Sequence, residues 1–247
     1  MLIKACLNGG TTRDQHPAVP RTPGELAADA QQAVRAGAHV IHMHPRDASG
    51  AETLEADAVL AAVRAVRAAV PGTPVGVTTG LWAVGGDPVR RLALVAGWVG
   101  TDRPDFATVN LCEPGPDALA ASLDSAGIEV EAGVWTPEDA ERLGASEFSS
   151  KAIRVVVEPR DDAPEAAVAT AAAIDETLDR HSLDMPRVHH GYGMATWHVI
   201  RAALRHGRDV RVGLEDTTVL PDGSIAAGNA DLVAAAVRLA TEAGHQI

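Results

Sequence analysis

The 247-residue sequence predicts an α/β chain folded as one (β/α)8 barrel domain spanning residues 1–247. Three observations carry this prediction. Short apolar runs of strand type alternate eight times with longer, alanine-rich runs of helical type. Such alternation needs a parallel sheet with crossover helices, and eight units close naturally into a barrel. The competing open, doubly wound sheet would carry a glycine-rich phosphate loop after its first strand, and Asn8-Gly9-Gly10 does not continue as one.

The elements follow in chain order. The first strand reads over residues 2–7. The first helix reads over 23–36, where Thr22-Pro23-Gly24-Glu25 forms a capping box with proline at the first helical position. Strand 39–44 leads to helix 54–69, whose Val59, Leu60, Val63, Val66 and Val70 repeat at helical spacing as one apolar stripe. Strand 74–79 precedes helix 88–98, with Asp87 as its N-cap. Strand 105–110 precedes helix 117–126. Strand 128–134 precedes helix 137–143, where Thr136-Pro137-Glu138-Asp139 repeats the capping layout with Asp139 a weaker substitute for glutamate. Strand 152–158 precedes helix 164–181, whose alanine-rich stretch reads as helix rather than linker. Strand 187–190 precedes helix 196–206. Strand 209–213 precedes helix 230–243, for which Asn229 is an N-cap candidate.

Composition narrows the function. With 46% hydrophobic residues the chain buries a core and is not disordered. No apolar stretch reaches the roughly 18–20 residues of a membrane helix. The N-terminus shows no basic region followed by a long apolar one, so the cytoplasm is the expected location. Two cysteines, Cys6 and Cys112, make no disulfide framework. The net charge is −12 and no basic tract is present, which argues against nucleic acid as a partner.

In a barrel the chemistry sits where strands end and loops begin. Unusual polar residues gather there. Asn8 follows the first strand; His42, His44 and Arg46 close the second; Thr78 and Thr79 close the third. Glu131 lies on the fifth strand, Glu158 ends the sixth, and His189 and His190 end the seventh. Arg211, Glu215 and Asp216 surround the end of the eighth. His42-Met43-His44 is the most informative triplet. Alternate residues of a strand face one side, so both imidazoles point the same way and supply half of a zinc site. The third ligand must be an anionic or imidazole group reaching across the mouth. Glu215 is the best candidate, because the eighth strand lies beside the first and close to the second. His190 is an alternative ligand, and a simple Arg211–Glu215 ion pair is the alternative to ligation. Glu113, Glu131 and Glu158 hint slightly at a cationic substrate.

Two blocks, His42-Met43-His44-Pro45-Arg46-Asp47 and Arg211-Val212-Gly213-Leu214-Glu215-Asp216-Thr217, resemble the beta-keto acid cleavage enzyme family. Asn8-Gly9-Gly10, His16-Pro17-Ala18-Val19-Pro20 and Thr22-Pro23-Gly24-Glu25-Leu26 resemble its first loop and helix. Thr79-Gly80 resembles its third strand end, and Asn229-Ala230-Asp231-Leu232-Val233 its last helix. The resemblance covers the first and last parts of the chain well, and the middle in layout only. It implies a barrel with one Zn2+ per subunit, assembled as dimers or tetramers. It implies cleavage of a 3-keto acid with acetyl-CoA as co-substrate, giving acetoacetate and a new acyl-CoA. Carried over by motif, His42, His44 and Glu215 are the metal ligands. Arg211 and Asp216 match the family's catalytic pair, with Asp216 drawing a carbon nucleophile from acetyl-CoA. Thr79 stands where a hydroxyl holds the substrate carboxylate, and Glu131 (or Glu129, if the alignment slips by two) lies near the substrate. Asn8 and Arg46 complete the expected substrate-binding set, and Arg46 with Arg211 supplies positive charge for the CoA ester.

Two positions depart from the family pattern. Glu158-Pro159-Arg160-Asp161-Asp162 replaces a glycine-rich turn, and Thr11 stands where members handling an aminated substrate have an acidic residue. Two rival functions remain. One is a zinc-dependent hydrolase of the amidohydrolase type, although there the histidine pair closes the first strand and a bridging lysine sits at the mouth. The other is a non-catalytic metal-binding barrel.

Overall fold

A computed structural model describes residues 1–247. Eight strands alternate with eight helices: β1 (Ile3–Cys6), α1 (Pro23–Arg35), β2 (Val40–Met43), α2 (Ala56–Ala69), β3 (Val75–Thr78), α3 (Pro88–Val95), β4 (Phe106–Asn110), α4 (Pro116–Ser125), β5 (Glu129–Val134), α5 (Pro137–Ala145), β6 (Ala152–Val157), α6 (Pro164–Arg180), β7 (Arg187–His189), α7 (Thr196–Arg205), β8 (Asp209–Val212) and α8 (Asn229–Glu242). Each strand pairs in parallel with the next, and β8 returns to β1 to close the barrel. The predicted (β/α)8 barrel is therefore the observed architecture. Every predicted strand lies within two residues of its observed ends.

Helix starts obey their local chemistry. Thr22 accepts from the Glu25 N–H while the Glu25 carboxylate accepts from the Thr22 N–H. Thr136 and Asp139 make the same reciprocal pair, so the shorter aspartate closes the box as well. Asp87 caps α3 through the Val89 and Arg90 N–H groups. Asn229 corrects one expectation. Gly228 takes the cap position, and Asn229 is fully buried inside the helix start. Its amide donates to the Leu7 carbonyl (2.8 Å) and accepts from the Leu214 N–H (2.8 Å), tying the ends of β1 and β8 together. Short 3₁₀ turns at Leu81–Val84, Ser149–Lys151 and Gly193–Ala195 were not predicted. Each is a single turn, too short to show helical periodicity.

Strand parity sorts the side chains. Ile3, Ala5, Ile41, Met43, Val75, Val77, Val210 and Val212 point outward and join the buried core beneath the helices. The opposite parity faces the lumen, and there the chain places charge. Lys4 Nζ donates to Glu131 Oε2 at 2.5 Å with both side chains fully buried. Arg154 Nε lies 3.3 Å from the other carboxylate oxygen, and both cations flank the Phe106 ring. A buried pair of this kind roughly offsets its own desolvation, but loss of one partner strands a charge.

Candidate metal centre and active site

β2 delivers His42 and His44 to one face by its period of two, and β8 delivers Glu215 just past its end. The three offer ligand atoms that all lie within 4.8 Å of one another. His42 Nε2 is 3.9 Å from Glu215 Oε2, and His44 Nε2 is 3.5 Å from Glu215 Oε1. The predicted set is thus brought together. Two glycines make room for it. Gly9 sits at φ +50, and a Cβ there would overlap the Glu215 side chain. A Cβ on Gly213 would overlap the Cys6 carbonyl, so glycine is needed for β8 to approach β1.

The surroundings orient the ligands. Glu52 Oε2 lies 2.5 Å from His44 Nδ1 and accepts from Trp82 Nε1 at 2.8 Å. A carboxylate on the far nitrogen leaves His44 Nε2 aimed at Glu215, the usual support of a metal-bound histidine. Asn8 acts from the backbone side: its carbonyl accepts the His44 N–H (2.8 Å), and its amide donates to the His44 carbonyl (2.9 Å) and to Pro20. Burial opposes charge on His44, but Glu215 and Glu52 outweigh it and lift it to about 9. Burial and the Lys4 ammonium hold His42 well below the usual histidine range. Burial raises Glu215, yet Arg211 and the two histidines carry it well below the carboxylate range. Glu215 Oε2 and His42 Nδ1 are buried without a hydrogen-bond partner. Two imidazoles, one carboxylate and an unpartnered buried carboxylate oxygen fit a divalent cation, and the donor types suit zinc.

Beside this cluster sits Asp216, its side chain fully buried. Arg211 Nη2 donates to Oδ1 at 2.7 Å, and Arg211 Nε approaches Oδ1 at 3.2 Å and Oδ2 at 3.3 Å. Arg211 also donates to Glu215, so one guanidinium spans the ligand and its neighbour. Burial works against that charge, but Asp216 and Glu215 keep Arg211 protonated well above its ordinary value. His190 does not join the ligand cluster. Its Nδ1 is 3.2 Å from Asp216 Oδ1 and its Nε2 is 3.0 Å from Glu158 Oε2, so it links Asp216 to a second carboxylate. Burial raises Glu158, but His190, Arg160 and Arg211 bring it down to about 2.

The remaining predicted residues are placed differently. Thr79 is fully buried and its hydroxyl donates to the Thr108 carbonyl (2.6 Å); Thr78 carries the lumen-facing parity instead. Glu131 is closed off within the Lys4–Arg154 layer rather than brought to the mouth. Glu129, the alternative, is exposed at the start of β5. Arg46 spends its guanidinium on the carbonyls of Gly9, Thr11 and Gly50, bracing the first loop. Glu113 pairs with buried Arg91, so Glu113, Glu131 and Glu158 all have cations or donors of their own and leave no free anion for a cationic substrate. His189 turns outward to Asp175 on α6.

Sequence reading missed Glu52 and Trp135 and gave no role of their own to Arg160 and Tyr192. The turn Asp47-Ala48-Ser49-Gly50, which folds Glu52 back onto Arg46 in an antiparallel bridge, was the available signal for Glu52. Trp135 had none, whereas Arg160 lies in the run that departs from the family's glycine-rich turn and Tyr192 in the run His189-His190-Gly191-Tyr192-Gly193 that could shape the mouth. With His44, Glu52, Trp82 and Glu215 they line one open cavity of about 470 Å³. A second cavity of similar volume lies around Asp117, Ile128 and Phe148, away from the strand ends that carry the chemistry.

Comparison with known proteins points to one family and one fold. A family model described as beta-keto acid cleavage enzyme matches residues 1–155 and 118–247. The 3-keto-5-aminohexanoate cleavage enzyme of Fusobacterium nucleatum subsp. nucleatum is 26% identical over all of this chain and 93% of its own length. The 3-oxoadipate:acetyl-CoA acetyltransferase of Cupriavidus necator is 26% identical over all of this chain and 90% of its own. Among solved structures, the apo structure of ObcA superposes with a TM-score of 0.77 at 19% identity. It covers 94% of this chain, which spans 63% of that longer one. No helix here is long and apolar enough to cross a membrane.

Proposed function

The chain belongs to the beta-keto acid cleavage enzyme family, and from that premise we propose that it exchanges acyl groups between a 3-keto acid and acetyl-CoA, releasing acetoacetate and a new acyl-CoA. The observation that carries the reading is the juxtaposition of a His42–His44–Glu215 ligand set with the buried Arg211–Asp216 pair at one barrel mouth. A zinc ion held by His42, His44 and Glu215 would bind the keto acid's oxygens and polarise its 3-keto carbonyl.

The chain's own residues then have definable tasks. Arg211 holds the Asp216 carboxylate in place through two of its nitrogens, leaving the carboxylate as the base beside the ligand cluster. The atom balance specifies which proton it takes. The new acyl-CoA keeps C3 and the side chain of the keto acid, so acetoacetate inherits C1 and C2 and gains the acetyl group. The proton removed by Asp216 is therefore one on C2, flanked by two carbonyls, rather than one on the acetyl-CoA methyl as the sequence reading had it. The C2 carbanion attacks the thioester carbonyl and expels the CoA thiolate. That thiolate attacks C3, and the C2–C3 bond breaks. Asp216 returns its proton to C2 of the departing acetoacetate. His190 sits behind Asp216, its Nδ1 3.2 Å from Oδ1 and its Nε2 hydrogen-bonded to Glu158, and the buried charge line helps to hold the carboxylate's orientation.

The test is a panel of 3-keto acids offered to the metal-loaded protein with and without acetyl-CoA. Acetoacetate formed only with both metal and acetyl-CoA supports this reading. Product formed without acetyl-CoA would instead make the protein a metal-dependent hydrolase. No turnover of any substrate would leave a binding barrel.

A further inference from the structure

Arg160 stands out among the arginines at the mouth. Its guanidinium carbon lies 3.8 Å from the Trp135 ring centroid and 4.1 Å from the Tyr192 ring centroid, so the group is held between two aromatic faces. It makes no hydrogen bond and no ion pair within the chain; the nearby Glu158 instead engages His190, Tyr192, Trp135 and Arg211. The residue is exposed. Stacking satisfies the faces of the guanidinium and leaves its edge, where all the N–H donors lie, open to the cavity. An arginine presented this way is shaped for a planar oxyanion taken up through two parallel hydrogen bonds.

Its position says which oxyanion. Arg160 follows β6, and β6 lies opposite β2 in the closed barrel. Arg160 and His44 therefore line the same cavity from opposite sides, with Glu215, which follows β8, on the wall between them. The sandwich is also tied to the reaction centre by a single carboxylate: Glu158 Oε2 accepts from Tyr192 (3.2 Å) and lies 3.6 Å from Arg211 Nη1. A phosphate of the CoA ester sits at the far end of the pantetheine arm, too remote from the thioester for an arginine only two side chains from Arg211. A second carboxylate at the distal end of a short keto acid is the anion that fits. The carboxylates around the mouth already have partners, which leaves Arg160 as the cationic group free to take it.

We propose that Arg160, clamped between Trp135 and Tyr192, reads a distal carboxylate, so that the preferred substrate is a 3-oxo dicarboxylic acid. This rests on the acyl-exchange reading for the reaction but not for the binding. The experiment therefore has two arms, each run on metal-loaded wild type and Arg160→Gln. In the first, calorimetric titration compares hexanedioate with hexanoate. Wild type is expected to bind the diacid more tightly, and Arg160→Gln to weaken the diacid by about 10- to 100-fold, erasing the preference. This arm stands even if no keto acid turns over. In the second, kcat/KM is compared for 3-oxohexanedioate and 3-oxohexanoate, with acetyl-CoA and with S-acetylpantetheine, which lacks the phosphates. The diacid-to-monoacid ratio is expected to collapse in the variant with either thioester. Equal losses for diacid and monoacid, or a wild type with no diacid preference, would overturn the proposal. So would a loss seen with acetyl-CoA but absent with S-acetylpantetheine, which would make Arg160 a reader of CoA phosphate.

Discussion

Asp29 on α1 controls how the barrel mouth is braced. Its carboxylate accepts from Asn229 Nδ2 at 2.6 Å, the amide that also holds the Leu7 carbonyl, while Asn229 Oδ1 holds the Leu214 N–H. One side chain thus anchors the two strand ends from which Asn8 and Glu215 project. Burial lifts Asp29 from 3.8 to about 6, against the lowering effect of Asn229. A folded-state pKa above the unfolded one means that the native protein holds a proton the unfolded chain has already released. Stability therefore falls as pH rises from about 4 to about 6 and stays reduced above that. A rise of this size costs the folded state about 3 kcal/mol at neutral pH. Asp29→Asn has no charge to desolvate, and its carbonyl accepts from Asn229 in the same place. Its own amide needs a new partner, which returns part of the gain. The net expectation is a stabilisation of about 1–2 kcal/mol at pH 7.5, or a Tm higher by about 2–8 °C, falling as the pH drops and reversing to a destabilisation of about 1 kcal/mol near pH 4, where the desolvation cost is gone and the cost of the amide remains. Urea unfolding of both metal-free proteins, followed by circular dichroism across this range, measures it. A gap that does not change with pH, or a variant less stable at pH 7.5, would refute the reasoning.

Three further outcomes are expected. Glu215→Gln and His42→Ala lose bound zinc and activity together, whereas Asp216→Asn keeps zinc and loses about 10²- to 10⁴-fold in kcat; elemental analysis showing full zinc in His42→Ala would sink the ligand assignment. Gly9→Ala, forced to place a Cβ against Glu215 at a positive φ, weakens zinc binding at least about tenfold in a chelator competition while the fold persists by circular dichroism; unchanged affinity would contradict it. Lys4→Met leaves Glu131 with Arg154 alone and destabilises the protein by about 3 kcal/mol in urea, the low end for a broken buried pair; a loss below about 1 kcal/mol would show that the lumen layer rearranges.

Much of this molecule was readable from local pattern. A strand's period of two put His42 and His44 on one face whatever their surroundings, and capping boxes at Thr22 and Thr136 marked helix starts because that chemistry is complete within four residues. Eightfold alternation then implied closure, and closure put the ends of β2 and β8 near one another, which is why Glu215 could be read as the candidate third ligand that the structure brings beside His42 and His44. Other assignments depended on partners far away in sequence. Thr79 and Asn8 look free for substrate until their hydrogen bonds to Thr108, Pro20 and His44 are seen. Glu131 looks like a mouth residue until Lys4 and Arg154 enclose it.

The sequence by itself determined the barrel, the side of each strand that faces the lumen, and that His42, His44, Glu215 and Asp216 gather at the ends of β2 and β8, because these follow from periodicity and chain order. Only the tertiary structure decided which polar groups remain available for chemistry. A hydrogen bond or charge satisfied by a residue a hundred positions away leaves no local trace. The same holds for Arg160, which loops after β5 and β7 hold between Trp135 and Tyr192 and which is left unpaired because the nearby Glu158 is engaged by His190, Tyr192, Trp135 and Arg211.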